Sequence, residues 1–421
     1  MGPVVNAPRV HVVGAGLAGL AAATQLAGQG RTVVLYEAAR MAGGRCRSWF
    51  DSALGATIDN GNHLLLACNR AALAYLDRIG ARDALAGPQA CVFDFCDLRS
   101  DERWRLRPNP GRAPWWIFSK ARRTPHTSAG DYLRGGKLLF AGADATVADA
   151  LAPHGALWDR LWKPVLVSAL NTKLDEASAR LAAAVVRESL GAGGAAARPR
   201  VPHPDLAAAF VAPALSFLGA RGADIRLGAR LRGLQFEADR VRALEFGDAR
   251  VEIAPDESVI LAAPAWSARE LAPGITAPTE HRAIFNAHFA HAPPPGTPLL
   301  TGVVGGLSEW VFAFPERLSV TISAADDLIE TESEDFAEKL WREVRAVARL
   351  GEARMPAHRL VREKRATFAA TPAQDRLRPG ARTRWRNLVL AGDWTQTGLP
   401  ATIEGAIRSG DAAAALVGRT A

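Results

Sequence analysis

The chain has 421 residues, 48% hydrophobic and 22% charged. This is the balance of ordinary globular domains, and it excludes a disordered chain, a collagen-like fibre and a small disulfide scaffold. Its 51 Lys+Arg against 43 Asp+Glu leave a formal charge of +8, but the basic residues are spread along the chain, which argues against a nucleic-acid groove.

No charge-free apolar run reaches spanning length. Cys46, Cys68, Cys91 and Cys96 show neither CxxC spacing nor a histidine at zinc-finger distance, so no metal is expected and a reducing compartment fits. The start, Met1 to Asn6, lacks the basic-then-apolar order of a signal peptide.

Arg9 to Val13 reads as a buried parallel strand. Gly14-Ala15-Gly16-Leu17-Ala18-Gly19 follows, then an apolar helix to about Ala27 closed by Gly28 and Gly30. Thr32 to Tyr36 is a second strand, ending on Glu37 and Ala38. This spacing predicts a βαβ dinucleotide-binding unit. Gly14 permits the tight turn, Gly16 lets backbone N–H groups approach a pyrophosphate, and Gly19 lets helix and strand pack closely. The helix start favours the anion. Glu37 can accept both ribose hydroxyls of an adenosine, and its charge would repel a 2′-phosphate. The unit by itself leaves NAD and FAD open.

Residues 70 to 200 read as mostly helical. Within them, Arg112-Ala113-Pro114-Trp115-Trp116-Ile117-Phe118 runs into Lys120, Arg122 and Arg123. Adjacent tryptophans beside cations suit a membrane–water interface, and equally a buried aromatic element with a solvated rim. Asp175 and Glu176 read as helix caps, and the Gly191–Ala197 run as a mobile loop. Ala223–Gly228, Leu231–Phe236 and Val241–Phe246 read as a strand ribbon, and Val259–Pro264 as a short buried strand. Ile284–Ala290, Leu299–Val304, Glu309–Phe314 and Leu318–Ser323 predict an antiparallel sheet. A helix is expected from about Glu332 to Leu350, with Thr331 and Glu334 as a capping box. Leu388–Ala391 reads as a strand before Gly392-Asp393-Trp394. Gly398–Ala406 opens a last helix to about Val417, with Pro400 in its first turn.

Gly43-Gly44-Arg45, shortly after the ribose acid, resembles the flavin amine oxidase and phytoene desaturase superfamily. Asp59-Asn60-Gly61-Asn62-His63-Leu64-Leu65-Leu66, with Ile79-Gly80-Ala81, is similar to its desaturase branch. Leu161-Trp162-Lys163-Pro164, Ala169-Leu170-Asn171-Thr172 and Glu176–Arg180 are narrower and resemble the hydroxysqualene dehydroxylases, the squalene-associated FAD family of hopanoid synthesis. The likeness covers almost the whole chain and departs at Lys173-Leu174, where a proline-containing turn is expected.

The resemblance implies an α/β fold: a discontinuous Rossmann-like FAD-binding domain (1–75, 201–270 and 366–421) and an α+β substrate domain (76–200 and 271–365) with an antiparallel sheet and a helical part. It places Gly43, Gly44 and Arg45 along the FAD pyrophosphate and the backbone near Leu231 at the adenine. Gly61, Asn62 and His63 come beside the isoalloxazine, and Gly392 and Asp393 at the ribitol. The helix start at Ala401, Thr402 and Ile403 faces the N1/O2 edge.

The implied reaction is reductive: reduced flavin and hydroxysqualene give squalene and water. The implied substrate is a hydrophobic C30 isoprenoid. That suggests a cytoplasmic protein peripheral on the inner face of the cytoplasmic membrane, held there through Trp115, Trp116 and Phe118. Two other functions stay open, a carotenoid- or phytoene-type FAD desaturase and a non-catalytic lipid-binding flavoprotein. His63 is the candidate acid, as a cation that protonates the leaving hydroxyl; the alternative is a neutral imidazole holding flavin or backbone carbonyls. Asp59 could serve as acid or fix the loop, and Trp394 could line the flavin or pack. No second dinucleotide fingerprint points to the electron donor.

Overall fold

The computed structural model describes residues 8–247, 249–331 and 333–417. The Met1–Asn6 start and Glu332, where the long helix was expected to begin, lie outside them.

Five strands form a parallel sheet in the order 224–227, 33–37, 10–13, 258–261, 388–390. They come from three separate stretches of chain. The central strands Val10–Val13 and Ser258–Leu261 are buried except for the half-buried Ser258 and apolar except for His11 and Ser258, as expected of strands covered on both faces. Helices Leu17–Gly28 and Ile403–Val417 cover one face. They cross so closely that a Cβ on Gly410 would lie 2.1 Å from the Ala18 carbonyl oxygen. The last helix begins at Ile403, with the Gly405 N–H donating to Thr402 Oγ1 at 3.0 Å. Pro400 therefore precedes the helix instead of sitting in its first turn.

A seven-stranded sheet has the order 358–368, 281–289, 317–322, 310–314, 300–304, 93–97, 102–106. The four expected strands are there. Phe93–Asp97 and Glu102–Leu106 were expected to be helical and instead extend this sheet; 93–97 runs parallel to 300–304. Helix Glu334–Ala348 packs Phe336, Leu340, Val344 and Val347 against one face of the sheet, with Phe285, Leu318 and Val320. Its cap is Ser333, whose hydroxyl accepts from the Phe336 N–H, not the expected Thr331–Glu334 box.

Other expectations are corrected. Asp224–Leu227 joins the parallel sheet; only Gly233–Glu237, Arg240–Phe246 and Ala249–Glu252 form the antiparallel ribbon. The Gly191–Ala197 run is not loose. Its Gly194 N–H donates to Asn109 O, and a Cβ on Gly193 would lie 2.6 Å from Pro110 O. The glycines serve close backbone approach. Asp175 and Glu176 are not caps: Ser178 caps helix Ala179–Glu188, and Glu176 accepts from Arg282 at 2.6 Å.

His288 lies on the inner face of the large sheet, fully buried, with Nδ1 2.8 Å from Ser319 Oγ. Burial, and secondarily the Arg317 charge, lower its pKa to about 3. Below pH 6.5 an unfolded imidazole takes a proton that this one refuses. Stability should therefore fall as the medium is acidified, by about 3 kcal/mol between pH 6.5 and 4 from this group. His288→Gln should flatten that limb in thermal melts; an unchanged limb would assign it elsewhere.

Candidate functional site

The glycine turn is built as its spacing demands. Gly14 has φ +107°, and a Cβ there would lie 2.5 Å from Ala262 O. A Cβ on Gly19 would lie 1.8 Å from Gly14 O, whereas one on Gly16 meets nothing within 4 Å. Gly14 and Gly19 are thus required by the chain's own packing. Gly16 instead faces open space at the start of helix Leu17–Gly28, where free N–H groups collect an anion.

Glu37 ends the second strand. Its two carboxylate oxygens accept the Ala15 and Ala39 N–H groups, each at 2.8 Å, which fixes the side chain beside the turn and next to Ala38. The chain around Leu231 is drawn to the same place, since Gly228 N–H donates to Ala39 O and Ala229 N–H to Glu37 O.

Gly43-Gly44-Arg45 folds back onto the turn. Gly43 N–H donates to Ala15 O at 2.8 Å, and Gly43 bridges Gly16. A Cβ on Gly44 would lie 3.3 Å from Gly16 Cα. From there Arg45 reaches across the parallel sheet, where its guanidinium donates to Asp393 Oδ1 at 2.7 Å and to Ala366 O at 2.6 Å. Burial disfavours that charge, but Asp393 more than offsets this and the Arg45 pKa is raised. The first and last motifs are therefore joined by an ion pair.

The loop after Gly392 is held from below by Arg378, a residue no motif revealed. Its side chain is inaccessible to solvent. It donates to Asp375 Oδ1 at 3.0 Å, Thr395 O at 3.0 Å, Asp393 O at 3.2 Å and Thr397 Oγ1 at 2.9 Å. Trp394 packs, with Nε1–H donating to Ala263 O at 3.0 Å, and leaves no ring face free. Ala401 and Thr402 are half-buried ahead of the helix that starts at Ile403.

On the facing sheet, Asn62 Nδ2 donates to Thr321 Oγ1 at 3.0 Å, and the Thr321 hydroxyl donates to Asn286 Oδ1 at 2.9 Å. The Asn286 Nδ2 is buried without a partner and lies 3.2 Å from where a Gly61 Cβ would stand. His63 is half-buried beside this cluster. Burial, and then the Arg45 charge, lower its pKa to about 4. Its environment favours the neutral imidazole, the alternative weighed from sequence. Asp59 fixes the loop: it accepts from Ser48 Oγ and Leu206 N–H, and faces Arg317 at 3.3 Å.

Sequence reasoning also missed Glu309. Burial pushes its carboxyl up to about 7. It accepts the Ser323 N–H at 2.8 Å, and its own N–H donates to Thr321 O, next to the Asn62–Thr321–Asn286 cluster. The Leu170-Asn171-Thr172 stretch acts as a clamp. Asn171 donates to Thr367 Oγ1 and accepts from Ala324 N–H, and Thr172 Oγ1 accepts from Ala370 N–H.

Residues 17–418 match the family described as flavin containing amine oxidoreductase. Hydroxysqualene dehydroxylase of Rhodopseudomonas palustris is 53% identical over 409 residues, covering 97% of this chain and 98% of that one. The same-named protein of Sinorhizobium fredii is 49% identical, covering 97% of each. The chain belongs to the hydroxysqualene dehydroxylase family of flavin-containing amine oxidoreductases. Cyclohexylamine oxidase from Brevibacterium oxydans has a similar solved structure, with a TM-score of 0.68 at 16% identity over 98% of both chains, a likeness of fold alone.

A flavin family whose chain carries an ADP-type βαβ unit takes FAD. The residues present fit it: Gly16 leaves room, Glu37 is fixed beside the glycine turn, and the Asn286 amide has a donor to spare.

Proposed function

We propose that the chain catalyses the FAD-dependent reductive dehydroxylation of hydroxysqualene to squalene and water. The near-full-length identity to two hydroxysqualene dehydroxylases carries this reading. FAD would be held by Gly14 to Gly19, Glu37, Ala38, Gly43, Gly44, Arg45, Gly61 to His63, Leu231, Gly392, Asp393 and Ala401 to Ile403. The three-piece cofactor domain and the two-piece substrate domain expected from sequence belong to the same proposal, as does a peripheral position on the inner face of the cytoplasmic membrane.

Bound and reduced, the flavin supplies the hydride that replaces the hydroxyl at the allylic carbon. The chain must supply a proton to the departing oxygen, because hydroxide leaves poorly. It must also exclude water, which would recapture the cation character left at carbon. We assign His63 the task of orienting the hydroxyl as a neutral imidazole, since its lowered pKa leaves it uncharged. Glu309, joined to the cluster by its N–H bond to Thr321 O, has a carboxyl pushed up to about 7, so about half of it keeps a proton at pH 7, and we assign it the acid role.

Anaerobic incubation of photoreduced enzyme with hydroxysqualene tests the reading; one squalene per flavin is expected. Desaturation of phytoene or squalene by oxidised enzyme would replace it with the desaturase reading, and binding without turnover with the non-catalytic one. In single turnover, His63→Ala should be slower by about 100-fold with FAD retained. The wild-type rate should fall above about pH 7 as Glu309 ionises, and Glu309→Gln should be slow and lack that fall. A Glu309→Gln profile like wild type would clear Glu309 of acid duty.

A further inference from the structure

Among the described residues nine large hydrophobic side chains are exposed, and five of them fall between positions 115 and 140: Trp115, Phe118, Leu133, Leu139 and Phe140. Phe140 is 88% exposed and Trp115 70%. Three short consecutive elements present them, Trp115–Phe118, Ala129–Gly135 and Gly136–Phe140. These elements are packed together. Trp116 stands edge-on to Tyr132 at 4.9 Å, and a Cβ on Gly135 would lie 2.8 Å from the Trp162 ring. Trp116, Ile117 and Leu138 point inward and join the main core. Trp116 is thus a packing residue, while Trp115 and Phe118 are left outside.

Charge is concentrated in the same stretch. Residues 107 to 140 hold Arg107, Arg112, Lys120, Arg122, Arg123, Arg134 and Lys137 against the single acid Asp131, so six of the chain's eight net positive charges lie here. The arginines are spread along the chain, but the excess charge is not. Arg134 pairs with Asp131, whereas Arg107, Arg112, Lys120, Arg122 and Lys137 are exposed and form no ion pair among the described residues.

Leu139 also lines a cleft of about 280 Å³ whose other wall includes Arg378, Gln396 and Gly398. The apolar surface therefore adjoins the loop that follows Asp393. No helix among the described residues is long and apolar enough to cross a membrane, so contact with lipid through this region would be superficial.

We propose that Trp115, Phe118, Leu133, Leu139 and Phe140, within their basic rim, seat the protein on an anionic lipid bilayer, and that a C30 chain enters from there. The entry step rests on the substrate reading above; the docking surface does not. Aromatic and leucine side chains enter the headgroup–acyl boundary, and unpaired cations above it meet lipid phosphate.

The test sediments flavin-loaded enzyme with vesicles of phosphatidylcholine alone or with one-third phosphatidylglycerol. Binding should require the anionic lipid and weaken with salt. The triple variant Trp115→Ser, Leu139→Ser, Phe140→Ser should bind anionic vesicles at least about 10-fold more weakly, with flavin content and thermal midpoint unchanged. Its turnover of hydroxysqualene should be lost in vesicles and retained in detergent micelles. Lys120→Glu with Arg122→Glu should remove the preference for anionic lipid. Equal vesicle binding by wild type and triple variant would overturn the proposal, as would indifference to lipid charge or no binding to either vesicle, the last pointing to a protein partner. If wild type binds vesicles but never turns over hydroxysqualene, the substrate reading and the entry step fall and the docking surface stands.

Discussion

Gly16→Ala is expected to yield a folded, thermally normal protein that has lost most of its flavin. Gly16 already has φ −73°, which alanine adopts without strain, and its added methyl meets no atom of the chain within 4 Å. Folding gives no reason for glycine at this position; the close approach of a pyrophosphate, as proposed above, would. A methyl group there should weaken FAD by at least about 10-fold, since displacement by even one carbon lengthens several charge-assisted N–H contacts together.

Gly19→Ala is the companion variant, with the opposite signature. Its methyl would stand 1.8 Å from the Gly14 carbonyl oxygen, so helix and turn must separate before any cofactor arrives. Reduced stability together with flavin loss is expected. The measurements are the ratio of flavin to protein absorbance after gel filtration and the melting temperature of each apoprotein. If both variants lost stability equally, the separation of a packing glycine from a ligand-facing glycine would be wrong.

The second large effect is Arg378→Ala. Removing this guanidinium strands the buried Asp375 carboxylate and leaves the Thr395 and Asp393 carbonyls without their donor. Breaking a buried pair by deleting one partner costs roughly 3–5 kcal/mol. Among the described residues Arg180 is the only other cation on Asp375, and it is half exposed and reaches one oxygen, so it compensates in part. Arg378→Met, which keeps the volume, should be nearly as damaging, because the loss is of hydrogen bonds and charge. The loop carrying Asp393 should loosen, so flavin content should fall along with the denaturation midpoint. Normal flavin content in either variant would show that the loop is held by its other bonds, Arg45 to Asp393, Gly392 to Ser409 and Trp394 to Ala263.

The cofactor half of the site was legible because its determinants are local. Three glycines and an acid at set spacing specify a turn, a helix start and an acid held beside them whatever the rest of the chain does. The substrate sheet was legible where strands keep a row of apolar residues, such as Phe285, Ala287 and Phe289 or Leu318, Val320 and Ile322. It was missed at 93–106, where Asp94, Asp97, Arg103 and Arg105 interrupt the pattern and the partner strand lies some 200 positions away. Asp224–Leu227 is a mostly exposed edge strand of four residues, too short and polar to announce its place in the parallel sheet. Gly193 and Gly194 looked like a loose tract because glycine composition cannot distinguish freedom from close backbone contact. Arg378, Asn286 and Glu309 have no motif at all. What singles them out is partners or burial contributed by distant segments.

The pairing of 93–97 with 300–304 has a consequence during synthesis. The earlier strand leaves the ribosome with Phe95, Trp104 and Leu106 ready for burial, but its neighbour is translated about 200 residues later. At translation speeds of roughly 5–20 residues per second, that is a wait of about 10–40 s. For that interval a nascent β-hairpin presents an unmatched strand edge and three apolar side chains to its surroundings. Trigger-type chaperones that cover such edges should therefore limit the yield of this protein more than its equilibrium stability does.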